Sequence, residues 1–220
     1  MGDVRARTGE VERALEGACC GHLDALGTLW SEFQPLLLRY LRGRGLDDPE
    51  GLATQIWIDA ARNLSRFHGD SDDFRRWLFT IAHRRVVDAR RRASRRWRPA
   101  RLSGDHDEQL ASSPSADVTY DDRASLQRAL ELVGTLPDAM REAVLLRVVA
   151  DLAVADVAEI MGRTTGNVRV LVHRGLRRLE DELTGQGRVP AGERVTNAWR
   201  SSMTGTPCST TTPETLPARS

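Results

Sequence analysis

Residues 154–173 read Val-Ala-Asp-Val-Ala-Glu-Ile-Met-Gly-Arg-Thr-Thr-Gly-Asn-Val-Arg-Val-Leu-Val-His, and their spacing decides the fold. A helix-turn-helix needs a small residue where its two helices cross, a Gly for the positive φ of the turn, and a branched apolar residue packing the second helix on the first. Ala158, Gly162 and Val168 hold those places at spacings of four and six, with Val157, Met161 and Leu171 as further inward positions. Thr164 is placed to cap the second helix, its hydroxyl accepting an N–H from near Asn167. Thr165, Asn167, Arg169 and then His173 are the early exposed side chains that would reach base edges or phosphates in a major groove. Arg174, Arg177 and Arg178 lie past those turns and suit phosphate contacts, which give affinity and salt dependence. An αα-corner with nothing bound shares this spacing, and the outward arginines separate the two readings.

Working outward, apolar residues recur at helical spacing along most of the chain, predicting helices at about 9–17, 22–43, 49–66, 72–96, 122–134, 138–150, 154–161 and 165–184. Aromatics are 5% and no Asn-Gly or Asp-Gly hairpin occurs, so the fold class is all-α. Apolar residues at 40% and charged ones at 29% suit small, well-solvated helical units. Residues 103–122 hold six acids, no base and no apolar period, which reads as a linker. From about 185 onward Gly, Pro, Ser and Thr dominate, with Thr210, Thr211 and Thr212 in a row, so a disordered tail is expected. The predicted organisation is an N-terminal segment (1–20), a first helical domain (21–97), a flexible acidic linker (98–121), a helix-turn-helix domain (122–184) and the tail (185–220).

The 220 residues carry 32 basic side chains, all Arg, against 31 acidic ones, a net charge of +1. A near-neutral total argues against a nucleic-acid binder until it is resolved along the chain. Residues 84–101 hold nine Arg and one acid, Asp88; residues 163–178 hold five Arg and none; the acidic linker lies between. Cys19, Cys20 and Cys208 are odd in number and lack metal spacing, which favours a reducing compartment over a disulfide scaffold. No signal-peptide h-region and no membrane-length apolar run occurs, so a cytoplasmic protein without direct membrane insertion is expected.

In the first domain Phe74, Trp77, Leu78, Ile81, Ala82 and Ala89 share one helix face, with Ser71 as the expected N-cap and Asp72 and Asp73 in the first turn. Arg76, Thr80, His83 and Arg90 project from the other side, and Arg91 and Arg92 extend that basic surface. Arg85 interrupts the apolar face and is expected to pair with Asp88. His83 has no second metal ligand at helical spacing. Ahead of this helix, Asn63-Leu-Ser-Arg-Phe-His-Gly-Asp-Ser71 is a polar loop in which Phe67 either stacks on an unpaired base or staples onto the core.

Phe74-Arg-Arg-Trp-Leu-Phe-Thr-Ile-Ala-His-Arg-Arg-Val-Val-Asp-Ala-Arg-Arg-Arg92 resembles regions 2.3 and 2.4 of the bacterial sigma-70 family. Leu136-Pro-Asp-Ala-Met-Arg-Glu-Ala-Val-Leu-Leu-Arg-Val-Val149, with the helix-turn-helix and His173-Arg-Gly-Leu-Arg-Arg-Leu179, resembles region 4. Two such domains on a short linker are the organisation of the extracytoplasmic-function (ECF) group. The resemblance covers about residues 20–184 and implies a promoter-specificity subunit of RNA polymerase. It implies minus-ten contacts from Arg66, Phe67, His68, Arg76, Trp77, Thr80, His83, Arg84, Arg90 and Arg91, and minus-35 contacts from Thr164, Thr165, Asn167, Arg169, His173, Arg174 and Arg177. The implied partners are core RNA polymerase (the clamp of its largest subunit, and its flap region for the second domain), promoter DNA and an anti-sigma factor. Within the family the linker threads toward the active-site and RNA-exit channels, a basic path that an acidic strap suits.

The sequence departs from the family pattern at named places. The clamp-binding helix of the family carries an acid, then Leu, then Gln next to an acid; Glu50-Gly-Leu-Ala-Thr-Gln-Ile-Trp57 has Gly51, Thr54 and Gln55 there. The expected core contact therefore falls on Asp48, Glu50, Thr54, Gln55, Ile56 and Trp57. Arg84 replaces a frequent Asn, so base preference does not carry over, and Val170-Leu171 replaces a common Ser-Arg pair. A stand-alone helix-turn-helix regulator would leave the first domain unexplained. A recombinase-like enzyme would need a nucleophile among arginines, and Tyr40 and Tyr120, the sequence's two phenols, lie in an apolar helix and in the linker. No paired carboxylate or metal cluster supplies other chemistry, so the expectation is no catalysis, no metal, no cofactor and no small-molecule substrate.

Overall fold

A computed structural model describes residues 2–96 and 120–186, and every regular element among them is helical. The first half contains α1 (Gly2–Cys19), α2 (Leu23–Gly43), α3 (Pro49–Asn63), a 3-10 turn (Leu64–Arg66) and α4 (Ser71–Arg96). The second contains α5 (Tyr120–Gly134), α6 (Asp138–Val144) continuing into a π-turn (Leu145–Val149), α7 (Val154–Met161) and α8 (Thr165–Gln186). All eight predicted helices occur; α1 starts earlier than its apolar period, and α5 begins at Tyr120, inside the expected linker. The rest of that linker, residues 187–220 of the tail and Cys208 lie outside the described residues; Cys19 and Cys20 are free thiols.

Local chemistry sets the helix starts. Asp48 Oδ1 accepts the Gly51 N–H at 2.8 Å, and Pro49 follows at the position that needs no donor. The expected N-cap Ser71 is corrected to Asp70, whose Oδ1 accepts from the backbone of Asp72 at 3.0 Å and Asp73 at 2.9 Å. A carboxylate one residue earlier reaches both N–H groups and meets the positive end of α4 as well. The predicted single helix 138–150 widens into the π-turn, which lets Leu145, Leu146 and Val149 all turn inward.

The first-domain core is Phe33, Leu37, Tyr40 and Leu41 of α2, Ala53, Ile56, Trp57 and Ala60 of α3, and Phe74, Leu78, Phe79, Ala82 and Val86 of α4. Edge-on ring pairs lock α2 to α4: Phe33 to Phe74 at 5.2 Å and Tyr40 to Phe79 at 5.5 Å between centroids. The α4 face is thus rotated from the predicted one. Phe79 and Val86 are fully buried, whereas Trp77, Ile81 and Ala89 are half-buried, because α4 packs against both α2 and α3. Arg85 is corrected too: its Nε donates to Asp59 Oδ2 of α3 at 2.6 Å, and Asp88 faces Arg91 at 3.9 Å.

The second domain packs α6 and α7 on α8 around Leu136, Val144, Leu146, Val157, Ala158, Val168 and Leu179. The two halves are not held by the linker alone. Their buried side chains form one continuous cluster, and Gly43 at the end of α2 lies so close to the second domain that a Cβ there would come within 2.6 Å of Leu145 Cδ2.

Candidate nucleic-acid interfaces

The helix-turn-helix forms as its spacing predicts. Gly162 ends α7 at φ +61°, a conformation costly to any residue with a Cβ, and Ala158 and Val168 are buried where the helices cross. Thr164 Oγ1 accepts the Asn167 N–H at 3.2 Å, which opens α8 with its first turns projecting from the domain. Thr165, Asn167, Arg169, His173, Arg174 and Arg177 are all exposed along α8. Val170, the first residue of the Val170-Leu171 pair, is 46% exposed. This face presents hydrogen-bonding and cationic groups on a rigid helix, the form in which side chains enter a major groove.

A second surface lies between α3, the loop after it and α4. An open cleft of about 720 Å³ is lined by Asn63, Arg66, Phe67, His68, Arg76, Trp77 and Arg84, together with Ile81, Asp88 and the Asp59–Arg85 pair. Phe67 packs edge-on against Phe74 at 5.6 Å and tilted against Trp77 at 5.3 Å, so one side staples onto the core while the residue still lines the cleft. Arg66 and Arg84 are exposed and make no ion pair among the described residues. Aromatic surface beside unpaired guanidinium groups is the chemistry that stacks an unpaired base and holds its phosphates.

The remaining residues of the predicted minus-ten set are not gathered there. Thr80 Oγ1 donates to the carbonyl of Arg76 at 2.7 Å. His83 and Arg90 point at the second domain, His83 Nδ1 donating to Glu142 Oε1 at 3.0 Å and Arg90 bonding Asp138; Arg76, although it lines the cleft, also reaches Asp73 and Glu159, each at 3.3 Å. Arg91 borders a second open cleft, between the two domains, with His83, Arg90 and Asp138, and is largely exposed.

On α3, Thr54 and Gln55 are exposed; Glu50 is half-exposed and pairs with Arg42 at 2.6 Å, and Asp48 serves as the helix cap. Ile56 and Trp57 are corrected from docking to core: Ile56 is fully buried, and Trp57 turns inward to donate its Nε1–H to Gln34 Oε1 at 2.7 Å. A helix of period 3.6 cannot show Gln55 and the next two positions on one outward face.

Sequence reading missed the polar cluster between the domains. Glu142 is buried and accepts from the Tyr40 hydroxyl at 2.6 Å and from Arg44 Nη2 at 2.6 Å; Arg44 Nη1 also lies 3.2 Å from Asp138. Burial alone would raise the Glu142 carboxyl, but its bonds to His83, Arg44 and Tyr40 outweigh that and hold it below the usual carboxylate range. Tyr40 is pushed well above the usual phenol range by its burial and by the Glu142 charge, so it remains a donor. The available signal was weak: a Tyr inside an apolar helix and an Arg just past its end. Among the described residues no group of three or more His, Cys, Asp or Glu is placed to hold a metal ion, and no helix is long and apolar enough to cross a membrane.

Comparison with known proteins places these surfaces in context. Residues 29–96 match the family model of Sigma-70 region 2, and residues 126–179 match that of Sigma-70, region 4. The ECF RNA polymerase sigma factor SigD of Mycobacterium bovis is 35% identical over 188 residues, covering 80% of this chain and 85% of the relative. The ECF RNA polymerase sigma factor ShbA of Streptomyces griseus is 32% identical over 182 residues, covering 77% and 91%. Among solved structures, CnrH in complex with the cytosolic domain of CnrY aligns with a TM-score of 0.56 at 18% identity, over 81% of this chain and 99% of CnrH, a likeness of fold.

Proposed function

The chain belongs to the ECF sigma factors of the sigma-70 family, and on that premise we propose that it binds core RNA polymerase and directs promoter-specific initiation, as a recognition subunit rather than a catalyst. The observation that carries this reading is the pairing, in one chain, of an exposed recognition helix with a separate aromatic and arginine-lined cleft. A regulator that only docks on duplex DNA has use for the first and none for the second.

In this reading α8 enters the major groove at the minus-35 element. Thr164, Thr165, Asn167 and Arg169 meet bases and the nearest phosphates, and His173, Arg174 and Arg177 hold the backbone. The cleft receives a base from the opened minus-ten element. Extruding a base costs a few kcal/mol, and stacking on an aromatic returns about 1–3 kcal/mol per base. Phe67 and Trp77 supply that stack, Arg66, Arg76 and Arg84 the charge, and His68 a ring at the rim. Thr80, His83, Arg90 and Arg91 extend the path along α4 once they are clear of the second domain. The division of the chain at 98–121 and 185 serves this purpose, two recognition units on a strap.

Core polymerase is met through the exposed part of α3, with Gln55 central, Thr54 and Glu50 beside it and Asp48 fixing the helix start. An anti-sigma factor is a further partner implied by family membership. Run-off transcription on a promoter library tests the reading. Core enzyme plus this protein is expected to initiate at promoters that core alone ignores, and no gain over core would refute it.

A further inference from the structure

We propose that Glu142 latches the second domain onto the first, so that acids of the second domain occupy basic residues of α4 and the chain covers part of its own minus-ten surface until the latch opens. The second part rests on the reading of α4 as a DNA-binding face; the latch itself does not.

The socket is built by the first domain and the plug by the second. Tyr40 of α2, Arg44 at the C-cap of that helix and His83 of α4 converge on the one carboxylate of Glu142, three donors from the first domain. Arg44 and Glu142 are 2% and 4% exposed, the two charged residues among the buried set. A guanidinium and a carboxylate removed from water are tolerable together and costly apart, so neither can stay buried without the other and the domains part as a unit when the pair breaks. Arg90 adds to the frame, donating to the Arg44 carbonyl at 2.8 Å and to Asp138.

What the plug covers makes the latch more than a packing contact. Of the basic residues on the outward side of α4, His83 is taken by Glu142, Arg90 by Asp138, and Arg76 is shared with Glu159 of α7. A carboxylate two oxygens wide presents to Arg what a phosphate presents, so these acids stand where nucleic acid would. By contrast the exposed face of α8 is left open, so the closed chain covers part of one DNA surface and none of the other.

The test uses the full chain. Asp138→Arg places a like charge against Arg44 and Arg90 at a side chain that is 61% exposed, where folding of either domain is not at stake. Gly43→Leu is a charge-neutral wedge, since the neighbours of a Cβ at Gly43 are Leu145 and Leu130 of the second domain. Small-angle scattering at low salt is expected to show a compact wild type and two expanded variants with unchanged helicity by circular dichroism. Affinity of the wedge variant for a fluorescein-labelled random single-stranded DNA is expected to rise about tenfold, the gain if about a tenth of the wild-type chains are open. A wild type whose domains are already apart, or variants as compact as wild type, would overturn the latch whatever run-off transcription shows. Expanded variants with no gain in strand binding would overturn the occlusion and leave the RNA polymerase reading to its own assay.

Discussion

Arg44 Nη2 lies 2.6 Å from Glu142 Oε2 with both side chains nearly shut off from solvent, although the two residues stand on opposite sides of the acidic linker. Burying an ion that keeps a mobile alternative is unfavourable unless hydrogen bonds complete its shell, and Tyr40 and His83 complete that of Glu142.

Removing one partner tests how much of the molecule's cooperativity passes through this pair. Glu142→Ala leaves a guanidinium in a dry site, a loss of about 3–5 kcal/mol if the closed form had to persist. Separation of the domains rehydrates Arg44, so the cost appears as opening rather than as unfolding of either half. Calorimetry is expected to show one transition for wild type and two for the variant; a single, uniformly lowered transition would place Glu142 in ordinary core stability.

Acid acts on the same site with a definite sign. Glu142 and Asp138 are both held below the usual carboxylate range: burial opposes ionisation in each, and Glu142 gains from His83, Arg44 and Tyr40, Asp138 from Arg90 and Arg44. A depressed carboxyl contributes stability that is fully present above the unfolded value, about pH 4, and is lost as pH falls through the folded one. The closed form is therefore expected to open progressively as the pH falls below about 4. Scattering across that range checks it, with the double variant Asp138→Asn, Glu142→Gln expected to lose the acid step.

The helical order and the helix-turn-helix were legible because both are local: Ala158, Gly162, Thr164 and Val168 fix the crossing, turn and cap within eleven residues. The cleft was half legible. Phe67, Arg66 and Arg76 announce themselves by type, but Asp59, which takes Arg85 from its expected partner Asp88, sits a helix away. Ile56 and Trp57 were misplaced because an exposed Gln55 says nothing about how far the helix turns before the core begins. The interdomain cluster was illegible, since the contact of Tyr40 with Glu142 spans the linker and no periodic signal links them.

The burial of Trp57 also separates two variants that sequence alone would group. Trp57→Ala opens a cavity and orphans Gln34, at a cost of about 3–5 kcal/mol in stability. Gln55→Ala removes an exposed side chain and is expected to leave the melting temperature within about a degree or two while lowering affinity for core polymerase. Thermal melts alongside co-purification with core distinguish them. Core binding unchanged by Gln55→Ala would move the contact off this face of α3.

On the proposed reading of α8, the distance from the N-terminal turn is expected to sort base readers from phosphate holders. Arg169 is about one turn past the Thr164 cap, on the same face as Thr165, where a groove-inserted helix meets base edges; Arg177 lies two turns further on, where the helix passes the backbone. Both are exposed, so neither substitution disturbs the core built by Val168 and Leu179. Arg169→Ala is expected to cost about 1–3 kcal/mol on the preferred minus-35 sequence and little on others, flattening discrimination. Arg177→Ala is expected to weaken binding on all sequences alike and to reduce the slope of log affinity against log salt by about one. Affinities measured over a salt series on preferred and scrambled duplexes decide the matter, and equal behaviour of the two variants would remove the distinction between them.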